Sequence, residues 1–246
     1  MRSVIRHIKW LVSKLGFEVN RIPYFSGLEH ERILPQASYA PWKKDSSFLC
    51  TYDLIANFTL VDKYRCFELW SLIQQCQKLE FGSIIEIGVW RGGTGALIAK
   101  QAKDCGISVP VYLCDTFTGV VKAGSEDSNY QGGEHADTSR TIVEGLLDKL
   151  DLNNVKIMQG VFPEDMLSNF EKERFRFCHI DVDVFQSAKD VVDWIWPRMC
   201  KGGIIVFDDY GFSSCDGITK YVNEQMHRKD RLVFHNLNGH AIFVKL

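Results

Sequence analysis

The amino-acid sequence predicts an α/β fold in which helices cover both faces of a mostly parallel β-sheet. Short, almost wholly apolar segments alternate with segments whose apolar residues recur at helical spacing. This alternation runs through five strand–helix units, after which two strands follow each other directly as a predicted antiparallel hairpin. The 246 residues, 46% of them apolar, suffice for one well-buried domain with an amino-terminal extension.

Five apolar segments are the predicted parallel strands: residues 84–89, 109–115, 155–159, 175–183 and 202–209. Helices are predicted between and after them, over residues 93–104, 138–150, 164–170, 186–199 and 216–228. A further helix is predicted over residues 52–79, and the closing hairpin is predicted to turn at Asn238-Gly239, a favoured turn dipeptide. This order is that of a Rossmann-like class I methyltransferase sheet, whose last strand inserts antiparallel. A dinucleotide-binding dehydrogenase more often alternates strands and helices throughout.

The first 50 residues are predicted to form a helical amino-terminal extension, separate from a methyltransferase domain over residues 51–246. The apolar face of the first helix comprises Val4, Ile5, Ile8, Leu11, Val12 and Leu15, and the basic residues mostly off it are Arg2, Arg6, Lys9 and Lys14. Residues 20–50 hold three of the six prolines and are predicted to be an irregular arm. The helix would either lie on a membrane surface or pack on the protein body or a second subunit. We favour packing, since amphipathic surface helices are common.

Composition and charge argue against several classes of partner. The formal net charge is −2, without the basic stripe that marks a nucleic-acid-binding domain. No apolar run approaches the ~18 residues of a membrane span. The eight cysteines are scattered, several of them in apolar segments, and form no C-x-x-C pair. This usage indicates a reducing compartment and predicts a cytoplasmic protein, and a homo-oligomer is compatible with it.

The turn after the first strand is a candidate nucleotide-type site, since ligands of open α/β sheets bind beyond the carboxyl ends of the strands. The turn reads EIGVWRGG, which is not the G-x-G-x-x-G of dinucleotide-binding proteins. Gly88 would let a ligand approach the backbone, and Trp90 lies within the turn. Glu86 suits an ammonium group or an ordered water beside a cationic ligand and sits poorly with a pyrophosphate. These three residues are therefore predicted to bind the cofactor.

The ends of the next two strands complete this predicted adenosyl site. Asp115 ends the second strand, where its carboxylate could accept hydrogen bonds from both ribose hydroxyls. A helix cap or an ordinary loop residue is the alternative role for a single aspartate at a strand end. Gly160 and Val161 follow the third strand and would border the adenine. The glycine turn and Asp115 together favour an adenosyl ligand.

A cluster of aspartates is predicted at the ends of the fourth and fifth strands, in HIDVD (179–183) and FDDYG (207–211). Neighbouring strands lie about 4.8 Å apart, so Asp181, Asp208 and Asp209 would converge beside the adenosyl site. Three carboxylates repel one another, and a bound cation removes the conflict. Oxygen-only ligands indicate a hard ion such as Mg²⁺, with Asp183 as a further candidate ligand. The alternative is that the aspartate pairs cap the following helices.

The predicted chemistry is the activation of a hydroxyl group. A metal lowers the pKa of a hydroxyl and fixes its position, and a nearby base takes the proton as the oxygen attacks a methyl group. His135 is the candidate base, and its alternative role is that of a solvated histidine in the long loop 119–137. A metal-bound carboxylate is the other candidate, so Asp181 is assigned to the catalytic, cofactor and metal sets. His179 lies on the opposite strand face and is interpreted as a structural residue.

The segments IIEIGVWRGGTG, LCDTFTG, HIDVDVFQS and GGIIVFDDYG resemble the macrocin O-methyltransferase family, which methylates sugars on macrolides and related glycosides. The resemblance runs from about Phe58 to Tyr221. It implies S-adenosylmethionine as the methyl donor, Mg²⁺ as the metal, and the hydroxyl of a small molecule or glycan, most simply a sugar, as the acceptor.

The same resemblance implies roles for individual residues. The implied metal ligands are Asp181, Asp208 and Asp209. The implied cofactor-lining residues are Thr59, Thr94 and Ser139, and His135 is implied to lie near the acceptor. The first 50 residues show no motif of the family. Three other functions remain open at this stage: methylation of a catechol-like phenol, an NAD-type Rossmann oxidoreductase, and a non-catalytic adenosyl- or metal-binding module.

Overall fold

The structure, a computed structural model, describes residues 37–246 without a gap, together with positions 12, 14, 30, 31 and 33. The chain divides into two units, Met1–Ser38 and Tyr39–Leu246. In the first unit, the described positions Val12 and Lys14 are helical. The rest of the predicted amphipathic helix and most of the predicted arm lie outside the described residues. None of the helices in the described part of the chain combines the length and apolar character of a membrane span.

The second unit is built on one sheet of seven strands. The strands are β1 (Ser83–Ile87), β2 (Val111–Asp115), β3 (Val155–Gln159), β4 (Phe175–Ile180), β5 (Met199–Phe207), β6 (Arg231–His235) and β7 (Ala241–Lys245). Their order across the sheet is β3-β2-β1-β4-β5-β7-β6. Strands β1 to β5 pair in parallel, and β7 runs antiparallel to both of its neighbours, β5 and β6. The predicted Rossmann-like sheet with an antiparallel carboxyl-terminal hairpin is thereby confirmed.

Helices cover both faces of this sheet. They are α1 (Ser46–Ile55), α2 (Lys63–Cys76), α3 (Gly93–Asp104), α4 (Arg140–Lys149), α5 (Phe185–Ile195) and α6 (Asp216–Gln225), with 3₁₀ turns at Pro41–Lys44, Leu167–Phe170 and Trp196–Arg198. Buried residues of α1 to α4 join one apolar cluster and those of α5 and α6 join a second. Successive strand residues alternate between the two clusters, as Ile84 and Ile85 do in β1. The sheet is therefore apolar on both faces, as parallel sheets are.

The prediction of one continuous helix over residues 52–79 is wrong, because the structure contains the end of α1 and all of α2 there. Asp45 starts α1 by accepting a hydrogen bond from the backbone N–H of Phe48 at 2.8 Å. Asp62 starts α2 by accepting from the backbone N–H of Tyr64, also at 2.8 Å. These caps satisfy amide groups that a helix leaves unpaired at its first turn. The irregular arm consequently ends before residue 50, and the predicted domain boundary falls inside α1.

The hairpin between β6 and β7 has a wider loop than the two-residue turn predicted at Asn238-Gly239. Residues 236–240 form it, and the side-chain oxygen of Asn236 accepts the backbone N–H groups of Asn238 at 2.8 Å and His240 at 3.1 Å. Leu237 and Gly239 both adopt positive φ, 60° and 99°. The Asn236 side chain thus binds the backbone of a five-residue loop, and this loop stands in place of the predicted two-residue turn. This loop places His240 directly before β7, beside the end of β5.

Candidate active site

One cavity opens at the carboxyl ends of the central strands, with an empty volume of about 1220 Å³ when its open mouth is included. The cavity is lined both by the turn after β1 and by the aspartates that follow β4 and β5, so a cofactor and part of an acceptor can share it. The predicted site residues that line the cavity are Thr59, Gly88, Trp90, Thr94, Asp115, His135, Gly160, Asp181, Asp208 and Asp209. The structure therefore brings most of the predicted cofactor, metal and base residues to one place.

Asp115 holds the turn that follows β1. One carboxylate oxygen, Oδ2, accepts the backbone N–H groups of Val89 at 2.6 Å and Trp90 at 2.9 Å. The other, Oδ1, accepts the N–H of Phe117 at 2.6 Å. Charge-assisted bonds of this kind are short and strong, so the carboxylate fixes two loops of the cavity wall as well as facing the cavity.

Replacing Asp115 with alanine should therefore weaken the binding of an adenosyl ligand by roughly 10- to 100-fold, since bonds to a charged group contribute about 1.5–3 kcal/mol each. Calorimetric titration with S-adenosylhomocysteine measures this change. Thr118→Ala is the control, because Thr118 is exposed in the same loop and its side chain does not line the cavity. Equal affinity in the two variants would contradict the role given to Asp115.

Gly88 marks the closest approach between the ends of β1 and β4. Its φ is 84°, and a Cβ atom at this position would lie 1.7 Å from the carbonyl oxygen of Asp181. Across the same contact, the backbone N–H of Asp181 donates to the carbonyl of Ile87 at 2.9 Å. The glycine lets the two strand ends meet, so that the turn after β1 and Asp181 of the aspartate cluster are adjacent.

Trp90 is fixed at the edge of the cavity by the loop that leads into α4. Its indole N–H donates to Oδ1 of Asp137 at 2.8 Å, and the guanidinium of Arg91 donates to the other oxygen of Asp137 at 2.6 Å. The Arg91 guanidinium carbon also lies 4.6 Å from the Trp90 ring centre, a cation–π contact. The ring centres of Trp90 and His135 lie 6.4 Å apart, so these two rings line the cavity side by side, between the turn after β1 and the loop at 119–137.

Three predicted cofactor residues do not face the cavity in the described part of the chain. Glu86 is fully buried beneath α3, because alternation along β1 turns its side chain toward that helix, and its Oε1 lies 2.8 Å from Nδ1 of His179. Ser139 caps α4 by accepting the N–H of Ile142 at 3.2 Å. The N–H of Val161 donates to Asp165 at 2.8 Å. In this structure their contacts are with neighbouring protein groups, and His179 pairs with Glu86 beneath the sheet end.

The aspartate cluster forms as the strand order predicts. Strands β4 and β5 pair in parallel, and Asp181 and Asp208 follow their last paired residues. One carboxylate oxygen from each of Asp181, Asp208 and Asp209 lies within 4.8 Å of the others. Burial, together with the charge of Asp208, raises the pKa of the Asp181 and Asp209 carboxyls well above the ordinary range. The cluster therefore holds more negative charge than it can keep ionised without a cation, and its all-oxygen donor set fits a hard one.

Asp208 differs from its two neighbours because positive and hydrogen-bonding groups surround it. Its Oδ2 accepts from the guanidinium of Arg65, and its Oδ1 lies 2.7 Å from Nε2 of His240. Burial alone would raise the pKa of Asp208, but the bonds and charges of His240 and Arg65 outweigh it and lower that pKa. Sequence reasoning missed both partners. Arg65 lies four residues before Leu69, on the apolar face of α2. A charged residue on an apolar helix face is the signal that could have identified it as a site residue.

A further wall of the cavity is formed by the loop between β2 and α4 and by Asp183. The hydroxyl of Tyr130 donates to Oδ1 of Asp183 at 2.6 Å, and the Tyr130 ring lies 6.2 Å from the ring of His135. Burial raises the pKa of Asp183, although the Tyr130 bond and the charge of His135 act in the opposite direction. His135 and Asp183 thus line the same wall, and both adopt positive φ.

The long loop at 119–137 is bonded to other elements of this unit. Buried Asp127 accepts the N–H of Phe185, at the start of α5, at 2.9 Å. The hydroxyl of Ser187 in α5 donates to the carbonyl of Val121 at 2.9 Å, and the amide of Asn129 donates to the carbonyl of Ser213 at 3.3 Å. Because these bonds reach α5 and the segment before α6, the loop is a wall of the cavity in this structure.

The strand order and the position of the cavity define the class I methyltransferase type of Rossmann-like fold. Solved structures of this class are similar to the chain. The O-methyltransferase NovP gives a TM-score of 0.63 at 21% identity, covering 76% of this chain and 82% of its own. The calicheamicin methyltransferase CalS11 gives 0.64 at 15% identity, covering 87% of this chain and 99% of its own. An O-methyltransferase from Bacillus cereus, in complex with S-adenosylhomocysteine, gives 0.53 at 19% identity, covering 82% and 92%.

The sequence profile of the macrocin-O-methyltransferase (TylF) family matches residues 52–239, so the chain belongs to that family. Curated relatives include a tetracenomycin 4'-O-methyltransferase from Streptomyces olivaceus, 27% identical over 57% of this chain and 58% of the relative. Another is the mycinamicin III 3''-O-methyltransferase from Micromonospora griseorubida, 30% identical over 54% of this chain and 57% of the relative. The chain therefore spans a little over half the length of each. Membership of this family supports neither an NAD-type oxidoreductase nor a catechol-specific enzyme.

Proposed function

We propose that this protein transfers a methyl group from S-adenosylmethionine to a hydroxyl group of a sugar, either free or attached to a small molecule. The observation that carries the proposal is the single cavity in which the glycine turn and Asp115 border the aspartate cluster. A methyl donor and an acceptor hydroxyl can meet there, since proximity is the main requirement of a group transfer between two bound molecules.

The cofactor is proposed to bind against the turn after β1 and the ends of β2 and β3. The residues proposed to contact it are Thr59, Gly88, Trp90, Thr94, Asp115, Gly160 and Asp181. The family and the S-adenosylhomocysteine bound to the similar Bacillus cereus enzyme support this choice of cofactor. Asp181 lies where the turn after β1 meets the aspartate cluster, so it can border both the cofactor and the metal.

Mg²⁺ is proposed to bind to Asp181, Asp208 and Asp209, because their oxygen-only donor set suits a hard cation and their repulsion calls for one. When bound, it would lower the pKa of the acceptor hydroxyl and help to orient it. Asp208 is already ionised and held in position by Arg65 and His240, so it is the ligand best prepared for a cation.

The chain's own residues supply the remaining steps. The acceptor oxygen attacks the methyl carbon as the carbon–sulfur bond breaks, which leaves the neutral thioether S-adenosylhomocysteine. The hydroxyl proton must then go to a base on the acceptor wall, where His135 is the proposed base and Asp183 is the alternative that the structure adds. Asp127 and Asn129 hold this wall against neighbouring elements, so it would help to shield the reacting atoms from water.

A sugar is the proposed acceptor because of the relatives. The two curated relatives described above are named for methylation at 4' and 3'' positions, and the first is named for a rhamnosyl substituent.

All eight cysteines of the chain are free thiols, and six of them are buried. A reducing compartment such as the cytoplasm is proposed on that ground.

The test is transfer of labelled methyl from S-adenosylmethionine to a panel of nucleotide sugars, glycosides and catechols, with and without Mg²⁺. We expect labelled product from a sugar or glycoside, and a loss of at least ~10²-fold in rate after exhaustive EDTA treatment, restored by added Mg²⁺. Product from catechols alone would contradict the acceptor class, and full activity in EDTA would contradict the metal. Tight NADH binding without S-adenosylmethionine binding would contradict the whole proposal.

A further inference from the structure

A buried hydrogen-bonded chain runs from Glu68 through His240 to Asp208, behind the aspartate cluster. We propose that His240 is a positioning residue that fixes Asp208 for metal binding, and that Glu68 holds His240 in place. This inference rests on the proposed function, in which Asp208 is a metal ligand. It assigns a role to residues outside the cavity lining of the described chain.

The geometry leaves His240 no freedom to turn. Its side chain is fully buried, with Nδ1 2.5 Å from Oε2 of Glu68 and Nε2 2.7 Å from Oδ1 of Asp208. Carboxylate oxygens accept at both ends, so both ring nitrogens donate. The amide of Asn236 donates to the same oxygen of Glu68 at 2.6 Å, and its oxygen accepts the backbone N–H of His240 at 3.1 Å. Asn236 of the β6–β7 loop thus fixes both Glu68 and the backbone of His240.

These hydrogen bonds from Glu68 through His240 fix the orientation of the Asp208 carboxylate. His240 restrains one carboxylate oxygen and Arg65 restrains the other, so the carboxylate plane cannot rotate away from Asp181 and Asp209. Partners of metal-ligating side chains commonly act in this way, by fixing a ligand before the ion arrives. His179 does not share the role, since its Nε2 lies 4.0 Å from Asp208, beyond a hydrogen bond.

The experiment measures binding of Mn²⁺ to the full-length chain by the loss of its electron paramagnetic resonance signal. His240→Ala should weaken Mn²⁺ binding by roughly 10- to 100-fold, the usual effect of removing a partner of a metal ligand. His240→Gln should bind nearly as tightly as the wild type, because the amide N–H₂ can still donate to Asp208. Rescue by glutamine separates positioning from a general loss of packing.

Glu68→Ala supplies a second test that leaves the imidazole in place. It should weaken Mn²⁺ binding less than His240→Ala does, and the double variant should bind no more weakly than His240→Ala alone, because Glu68 acts through His240. The control is Tyr112→Phe, which removes a partly buried hydrogen bond of 3.0 Å to the carboxylate of Glu173; both residues lie outside the cavity lining. It should leave Mn²⁺ affinity unchanged even if the protein melts at a lower temperature.

The outcomes separate this inference from the proposed function. Wild-type affinity in both His240→Ala and Glu68→Ala, or additive losses in the double variant, would overturn the positioning role while leaving the metal site intact. An equal loss in Tyr112→Phe would also overturn it. A wild-type protein that binds no Mn²⁺ would overturn the metal site, and the positioning role would fall with it. If His240→Ala does not fold, Glu68→Ala and His240→Gln still decide the question.

Discussion

Asp181→Asn should lower the rate of methyl transfer by ~10²- to 10³-fold or more, because metal assistance of this kind contributes several kcal/mol to the barrier. The asparagine keeps the shape of the side chain but removes a charge from the point where the cofactor turn and the aspartate cluster meet. Cofactor binding should survive in large part, since Thr94, Asp115 and Gly160 are unchanged. Turnover assays and titration with S-adenosylhomocysteine measure the two effects separately.

The matched control for Asp181→Asn is Asp193→Asn. Asp193 is an exposed residue of α5 whose side chain pairs with Lys189 at 2.7 Å, well apart from the cavity lining. It should keep wild-type turnover, because exposed ion pairs contribute little. Wild-type turnover in Asp181→Asn as well would remove that aspartate from the chemistry, whatever the family resemblance implies.

Gly88→Ala should destabilise the protein by ~3 kcal/mol or more, since it combines a positive φ with a collision that neither strand can relieve. The added Cβ would lie 1.7 Å from the carbonyl oxygen of Asp181, a backbone atom fixed by its own place in the sheet. Chemical denaturation with a linear extrapolation measures the change in the free energy of unfolding.

Gly106→Ala is the matched control for Gly88→Ala, because Gly106 also has a positive φ, 70°, but nothing lies within 4 Å of its added Cβ. It should cost only about 1 kcal/mol, the ordinary penalty for an L-residue in the left-handed region. The difference between the two variants isolates the close approach of β1 to β4. Similar losses at the two positions would show that this approach can relax.

The parts of the site that could be predicted from sequence are those set by strand ends. Aspartates end or directly follow three of the apolar strands, and parallel strands deliver those residues to the same edge, so Asp115, Asp181 and Asp208 line one cavity. The loops that follow β1 and β3 place Trp90 and Gly160 in the same cavity for the same reason. The prediction of the α/β class needed only the alternation of apolar strands and amphipathic helices.

The parts that could not be predicted depend on which helix covers which face and on side chains that reach the aspartates from distant elements. Glu86 is turned beneath α3 because of the face on which that helix packs, and the sequence of β1 does not specify the face. Arg65 reaches Asp208 from a helix that precedes the sheet, and His240 reaches it only because β7 inserts beside β5. Neither contact follows from local spacing, since each joins residues far apart in the chain.

The insertion of β7 between β5 and β6 has a consequence for how the protein is made. During synthesis, β5 emerges well before β7, so its outer edge stays unpaired until the hairpin has left the ribosome, and such edges invite association with other chains. Arg65 is synthesised early and His240 late, and both must meet Asp208 to complete the cluster. Contacts so distant in sequence form slowly. A nascent chain therefore remains unable to build the cluster until nearly all of the sheet has been translated.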